Sequence, residues 1–143
     1  MKNIYLLALF FASFWQMNAQ TYCTPAFASG CADGDQIDSF SIGTAGFSDP
    51  STGCSTGAYG DFYATKTITL SASVIYGFTV THGYDTQLIR IWADFNNDGT
   101  FDETTELIGS GGSGATLITS STLQVPVTVN PGTYRLRIAD RYN

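Results

Sequence analysis

An antiparallel all-β chain, folded as an immunoglobulin-like or jelly-roll-like β-sandwich, is what this sequence predicts, on three observations. Apolar residues recur with a period of two in several short runs, as at Val74, Tyr76, Phe78 and Val80. Successive side chains of a strand point to opposite faces, so this period marks half-buried strands. Glycine, serine, asparagine and proline punctuate the runs, with 15 glycines in 143 residues, and these residue types supply the turns between short strands. No window past the first twenty residues carries a helical apolar stripe. About seven strands at this spacing fit a sandwich of immunoglobulin size.

The chain opens with Lys2 and an uncharged apolar run from Ile4 to Trp15, followed by the small residue Ala19. That order reads as a secretory leader over residues 1–19. The run falls short of the roughly 20 apolar residues a bilayer requires, so no membrane insertion is expected and the protein is placed outside the cell or on its surface. Residues 20–143 then make one domain with one core. Twelve acids against six bases give a formal net charge of −6, and Lys2 leaves with the leader. Such a surface repels phosphate backbones and anionic lipid, which argues against nucleic acid as a partner and suits bound cations.

From Cys23 to Gly60 the sequence is dense in small polar residues, with a short apolar alternation at Ile37, Phe40 and Ile42. This predicts loops with one strand near 36–42. Phe62, Ala64, Ile68 and Leu70 predict a strand, the triplet 71–73 a turn, and Val74 to Val80 the next strand. In Gln87 to Ala93 the residues Gln87, Ile89, Ile91 and Ala93 share one face, with Leu88, Arg90 and Trp92 on the other. Leu107 and Ile108 predict a short strand, residues 109–114 a flexible Gly/Ser loop, and Thr116 to Val125 a further strand. Pro131-Gly132 turns the chain into a last strand, 133–141, with Tyr134, Leu136 and Ile138 inward and Arg135, Arg137 and Arg141 outward.

Three cysteines, Cys23, Cys31 and Cys54, lie past the leader, in a compartment where disulfides persist. An odd count leaves one bridge plus a free thiol, or a bridge to another chain. Metal binding by them is the weaker alternative, since no C-x₂-C pair occurs and His82 is the only histidine.

Catalytic patterns are absent, so no enzyme is expected. One histidine makes no H-E-x-x-H pair, and no nucleophile elbow accompanies it. His82 stands at the end of a predicted strand beside Gly83 and reads as a surface or turn residue. Asp102, Glu103 and Glu106 could serve glycoside hydrolysis, but acids around Asn96 and Gly99 are better explained as cation ligands or a solvated loop. Gly109 to Gly114 formally satisfies G-x-G-x-x-G, yet Ala115 to Thr119 beyond it is strand-like and supplies no helix of the kind that pattern requires. Trp92, Tyr84 and Tyr59 form a candidate ligand platform of the kind that stacks on sugars. Trp92 either fills the core or faces a partner, and the sequence leaves both open.

The stretch Asp94 to Glu106, DFNNDGTFDETTE, carries the sharpest chemical signal. Asp94, Asn96, Asp98 and Asp102 surround Gly99, and a Ca²⁺ ion takes roughly six to eight oxygens at about 2.3–2.6 Å from such a loop. The helix-loop-helix calcium pattern wants glutamate five residues after its glycine, where this chain has Thr105, with Glu106 one place late. A strand-like exit would let Glu106 reach the ion. The candidate metal set is therefore Asp94, Asn96, Asp98, Thr100, Asp102 and Glu106, with calcium the candidate cofactor. The competing reading is a plain hairpin turn, for which Asn and Gly are equally suited.

Several motifs together resemble the GEVED domain of secreted bacterial proteins, particularly those exported by the type IX system. They are Tyr22-Cys23-Thr24-Pro25, Cys31 with Gly34-Asp35-Gln36-Ile37-Asp38-Ser39-Phe40, Gly53-Cys54, and Tyr59-Gly60-Asp61-Phe62. Further along come Arg90 to Asp102, Glu106-Leu107, and Pro131-Gly132-Thr133-Tyr134-Arg135-Leu136-Arg137. The resemblance implies an accessory β-sandwich with no catalysis of its own, serving extracellular binding or adhesion toward a protein or polysaccharide. It also implies a Cys31–Cys54 disulfide with Cys23 left over. Family members continue past the last strand into the acidic stretch that names them, so the resemblance implies a fragment lacking a final strand. The alternatives are a remnant of a larger secreted hydrolase, such as a protease, and a carbohydrate-binding module.

Overall fold

The computed structural model describes residues 21–27 and 29–142, so the leader read over residues 1–19 lies outside the described residues. Seven strands form: β1 (Ile37–Ile42), β2 (Phe47–Asp49), β3 (Ile75–His82), β4 (Gln87–Asp94), β5 (Leu107–Gly112), β6 (Ile118–Gln124) and β7 (Arg135–Tyr142). They hydrogen-bond in the order β2-β1-β3-β6-β5-β4-β7, every pairing antiparallel. No helix among the described residues is long and apolar enough to cross a membrane.

The expected alternation sets the core. Tyr76, Phe78 and Val80 of β3 are 8%, 2% and 0% exposed, and Ile89, Ile91 and Ala93 of β4 are 1%, 0% and 6% exposed. These residues join Phe40 and Ile42 of β1, Ile108 of β5 and Leu123 of β6 in one buried cluster. Residues from both ends of the strand order share that cluster, so the sheet doubles over on itself. The wing β2-β1-β3-β6 faces the wing β5-β4-β7, and His82 of β3 comes within 3.8 Å of Asp140 of β7. The all-β sandwich expectation holds, with one continuous sheet supplying both layers.

The fold line runs where β5 meets β6, whose ladder is the single pair Gly109–Leu123. A Cβ added at Gly109 would stand 2.7 Å from the Leu123 Cβ, and one added at Gly111 would stand 2.8 Å from the Thr119 methyl. Glycine is thus used here for close approach of two backbones. The expectation of a flexible loop over 109–114 is corrected accordingly: residues 109–112 are strand β5.

A second correction concerns Phe62 to Leu70, which forms no strand. The Phe62 carbonyl accepts from the N–H groups of Thr65 and Lys66, a turn that breaks the period. Lys66 then pairs with Asp49 and sits 4.4 Å from the Phe62 ring centroid. Ile68 and Leu70 still pack on the core, from coil. Strand β2 is absent from the sequence expectation, because three residues carry too little alternation to register. Val74 precedes β3 and is exposed, and Tyr134 precedes β7, packing edge-on against Phe95 at 5.3 Å.

Cys31 and Cys54 are joined in a disulfide, and Cys23 is an exposed free thiol among the described residues. The bridge ties the short 3-10 turn Gly30–Asp33, through Cys31, to Cys54 just ahead of the turn Thr56–Ala58, in a segment with little core of its own. Closing a loop of this size stabilises by about 3 kcal/mol in the chain-entropy model.

Gly109→Ala is expected to lower stability by about 1–3 kcal/mol through overpacking against Leu123, measured by urea unfolding, whereas Gly53→Ala, in open space but at φ +61°, costs only its backbone strain of about 1 kcal/mol.

Candidate functional site

Strand β4 delivers Asp94 to the start of the acidic loop with no exposed surface. Its Oδ1 accepts from the Asp98 N–H at 3.2 Å, and its Oδ2 accepts from the Gly99 N–H at 3.0 Å and from the Tyr22 hydroxyl at 2.7 Å. Gly99 turns the chain at φ +85°, a conformation that side chains resist. Asn97 is left-handed as well, at φ +54°, which asparagine tolerates.

Glu106 closes the loop from the other side and is 2% exposed. Its Oε1 accepts from the N–H groups of Phe95 (3.0 Å) and Asn96 (3.4 Å), and its Oε2 from that of Asp102 (3.0 Å). The exposed acids serve their own neighbours. Asp98 Oδ1 accepts from the Thr100 N–H and hydroxyl, and Asp102 Oδ1 from the N–H groups of Thr104 and Thr105 and the Thr105 hydroxyl. Hydrogen bonds from Thr100 hold the Asp98 carboxyl below its ordinary pKa, and those from Thr105 and Thr104 do the same for Asp102. Asn96 accepts from the Asp98 N–H and donates to Asp98 Oδ2. The candidate ligands thus lie in one loop, but among the described residues no three Asp, Glu, His or Cys side chains converge to hold a metal.

The loop adjoins a ladder of cations and rings on the outer face of β7. Arg135 lies over Tyr22 (4.7 Å) and Tyr63 (4.8 Å) and pairs with Asp61 at 2.6 Å. Arg137 lies over Phe101 (4.3 Å) and Tyr59 (5.9 Å) and donates to the Cys23 carbonyl at 2.7 Å. Tyr22 also packs against Phe101. Burial and the Asp94 carboxylate push the Tyr22 phenol well above its usual range.

The candidate platform does not assemble. Trp92 is 8% exposed, in register with Leu107 and Arg137, and is part of the packed interior rather than an open stacking surface. Tyr59 is half-buried beside the arginines. Tyr84 stands beyond the opposite end of β4, exposed, against the exposed Tyr142 at 5.9 Å.

His82 is a buried residue, which corrects the surface or turn reading. It is 1% exposed, with Nε2 and the Thr119 hydroxyl 2.8 Å apart. Its Nδ1, Gln87 Oε1 and Asp140 Oδ2 are buried without hydrogen-bond partners. Gln87 donates from Nε2 to Asp35 at 2.7 Å. Burial lowers the His82 pKa. Burial, together with the negative charges of Asp35 and Asp38, pushes Asp140 up to about 6. Sequence reasoning missed this polar end of the core because His82, Gln87 and Asp140 occupy inward places in otherwise apolar alternations. The break in apolarity at those places was the available signal.

Because the folded-state pKa of Asp140 is raised, its contribution to stability is fully present below the unfolded value near 3.8 and is lost as pH rises through about 6. Asp140→Asn supplies an amide donor toward His82, and it is expected to stabilise the fold by about 1–3 kcal/mol at pH 8. The gain should shrink below pH 6, as read from denaturant midpoints across that range.

Residues 88–143 match the GEVED domain family. The matched stretch takes in nearly all of β4, the acidic loop and β5 to β7. The motifs before residue 88 that carry the same resemblance lie outside it. No curated protein matches the chain, and no solved structure does.

Proposed function

We propose, with the GEVED match over residues 88–143 as the premise, that this protein is a non-catalytic extracellular module that serves binding or adhesion, appended to or working beside other surface proteins. That match is the observation carrying the reading. Two features of the chain support it. The lone histidine is enclosed in the core against Thr119 and closed to solvent. The Cys31–Cys54 bridge suits an oxidising compartment outside the cytoplasm. The purified chain is expected to turn over no peptide, ester or glycoside substrate while binding an extracellular polysaccharide or surface protein saturably. Turnover that disappears on substitution of one acidic residue would overturn the reading in favour of a hydrolase.

A second reading, a carbohydrate-binding module, draws on Tyr84 and Tyr142, two exposed rings packed together. Tyrosine faces offer apolar area at low entropic cost. On this reading Tyr84→Ala weakens polysaccharide binding about tenfold, a loss of about 1.4 kcal/mol, with the melting temperature unchanged. Equal binding by the variant would remove the sugar platform and leave a protein partner.

A further inference from the structure

The acidic loop has the composition of a calcium loop and a geometry that does not fit one. Backbone N–H groups at Phe95, Asn96, Asp98, Gly99, Thr100, Asp102, Thr104 and Thr105 all end on carboxylates of Asp94, Asp98, Asp102 and Glu106. Each of the four acids accepts three donors, and two of them, Asp94 and Glu106, do so while buried. Asp98 and Asp102 each turn one oxygen back onto the residues just after them. A calcium site needs several oxygens aimed at one point, whereas the four acids spend their oxygens on donors spread around the loop. Only Asp94 Oδ1 and Asn96 Oδ1 share one, the Asp98 N–H, and no three acids among the described residues converge.

The third donor on Asp94 comes from far away in sequence: the hydroxyl of Tyr22, 72 residues earlier. The Tyr22 ring lies on Phe101 of the loop and under Arg135, and the next carbonyl, that of Cys23, is held by Arg137. Loop and N-terminal segment are therefore fastened to each other.

We propose that the Asp94–Glu106 loop is a metal-independent clamp. Backbone N–H donors take the place of a cation at its buried carboxylates and so order the loop, and Asp94 with Phe101 grips Tyr22 to fix the N-terminal segment across β7. This goes beyond the binding role proposed above and stands or falls separately from it.

The test is a set of thermal melts of the wild-type chain in millimolar calcium and in chelator, with calorimetric titration of calcium and amide exchange of Tyr22→Phe. The expected results are midpoints within about 1 °C of each other, no saturable binding, and faster exchange at the Gly99 N–H in the variant, equal in both media. A midpoint that climbs with calcium concentration, or one-to-one calcium binding, overturns the proposal. So does a Tyr22→Phe variant whose Gly99 exchange is unchanged. Glu106→Gln adds a third arm. A lower midpoint by the same amount with and without calcium supports the clamp, and a loss confined to calcium refutes it. Should that variant fail to fold, the wild-type melts and Tyr22→Phe decide.

Discussion

The close passage of β5 over β6 at Gly109 and Leu123 makes the rest of the molecule possible. With one paired position there instead of a full ladder, the sheet folds back, and the two wings can bury Phe78 and Val80 against Ile89 and Ile91. Each such side chain stabilises by about 1.5–3 kcal/mol when removed from water, but only if the backbones come near enough. A side chain at Gly109 or Gly111 would hold them apart. The glycines that weaken β5 as a strand are what allow its neighbours to enclose a core.

Folding the sheet also brings polar groups into contact, and the two ends of the fold treat their acids differently. At the acidic loop, Asp94 and Glu106 are buried yet saturated with N–H donors. Hydrogen bonds to charged acceptors contribute about 1.5–3 kcal/mol each, against the cost of burying the charge. At the other end, His82 Nδ1, Gln87 Oε1 and Asp140 Oδ2 are buried without hydrogen-bond partners, and burial with the negative charges of Asp35 and Asp38 raises the pKa of Asp140. One end is ordered by its charges and the other is strained by them.

The outer face of β7 carries a different kind of order. Arg135 and Arg137 lie among Tyr22, Tyr59, Tyr63 and Phe101, so segments remote in sequence are held by rings and guanidinium groups in place of a further strand. Cation–π contacts of this sort contribute about 0.5–2 kcal/mol each, more as water is excluded. They place the N-terminal segment beside the acidic loop, which is why the exposed Cys23 stands next to β7.

Alternation along β3 and β4 was legible in the residues themselves, since a period of two arises from the geometry of an extended backbone and needs no partner to define it. The same holds for the composition of the acidic loop and for the Pro131-Gly132 turn. The coil at 62–70 and the strand at 109–112 were not legible. A turn hydrogen bond at Phe62 and the close approach of Leu123 are properties of neighbours in space. Side chains in the sequence identified Asp94 and Glu106 as oxygen donors, whereas only the folded chain decided where those oxygens point. Which N–H groups surround a carboxylate depends on the path of the backbone around it, and that path is set by residues as distant as Tyr22.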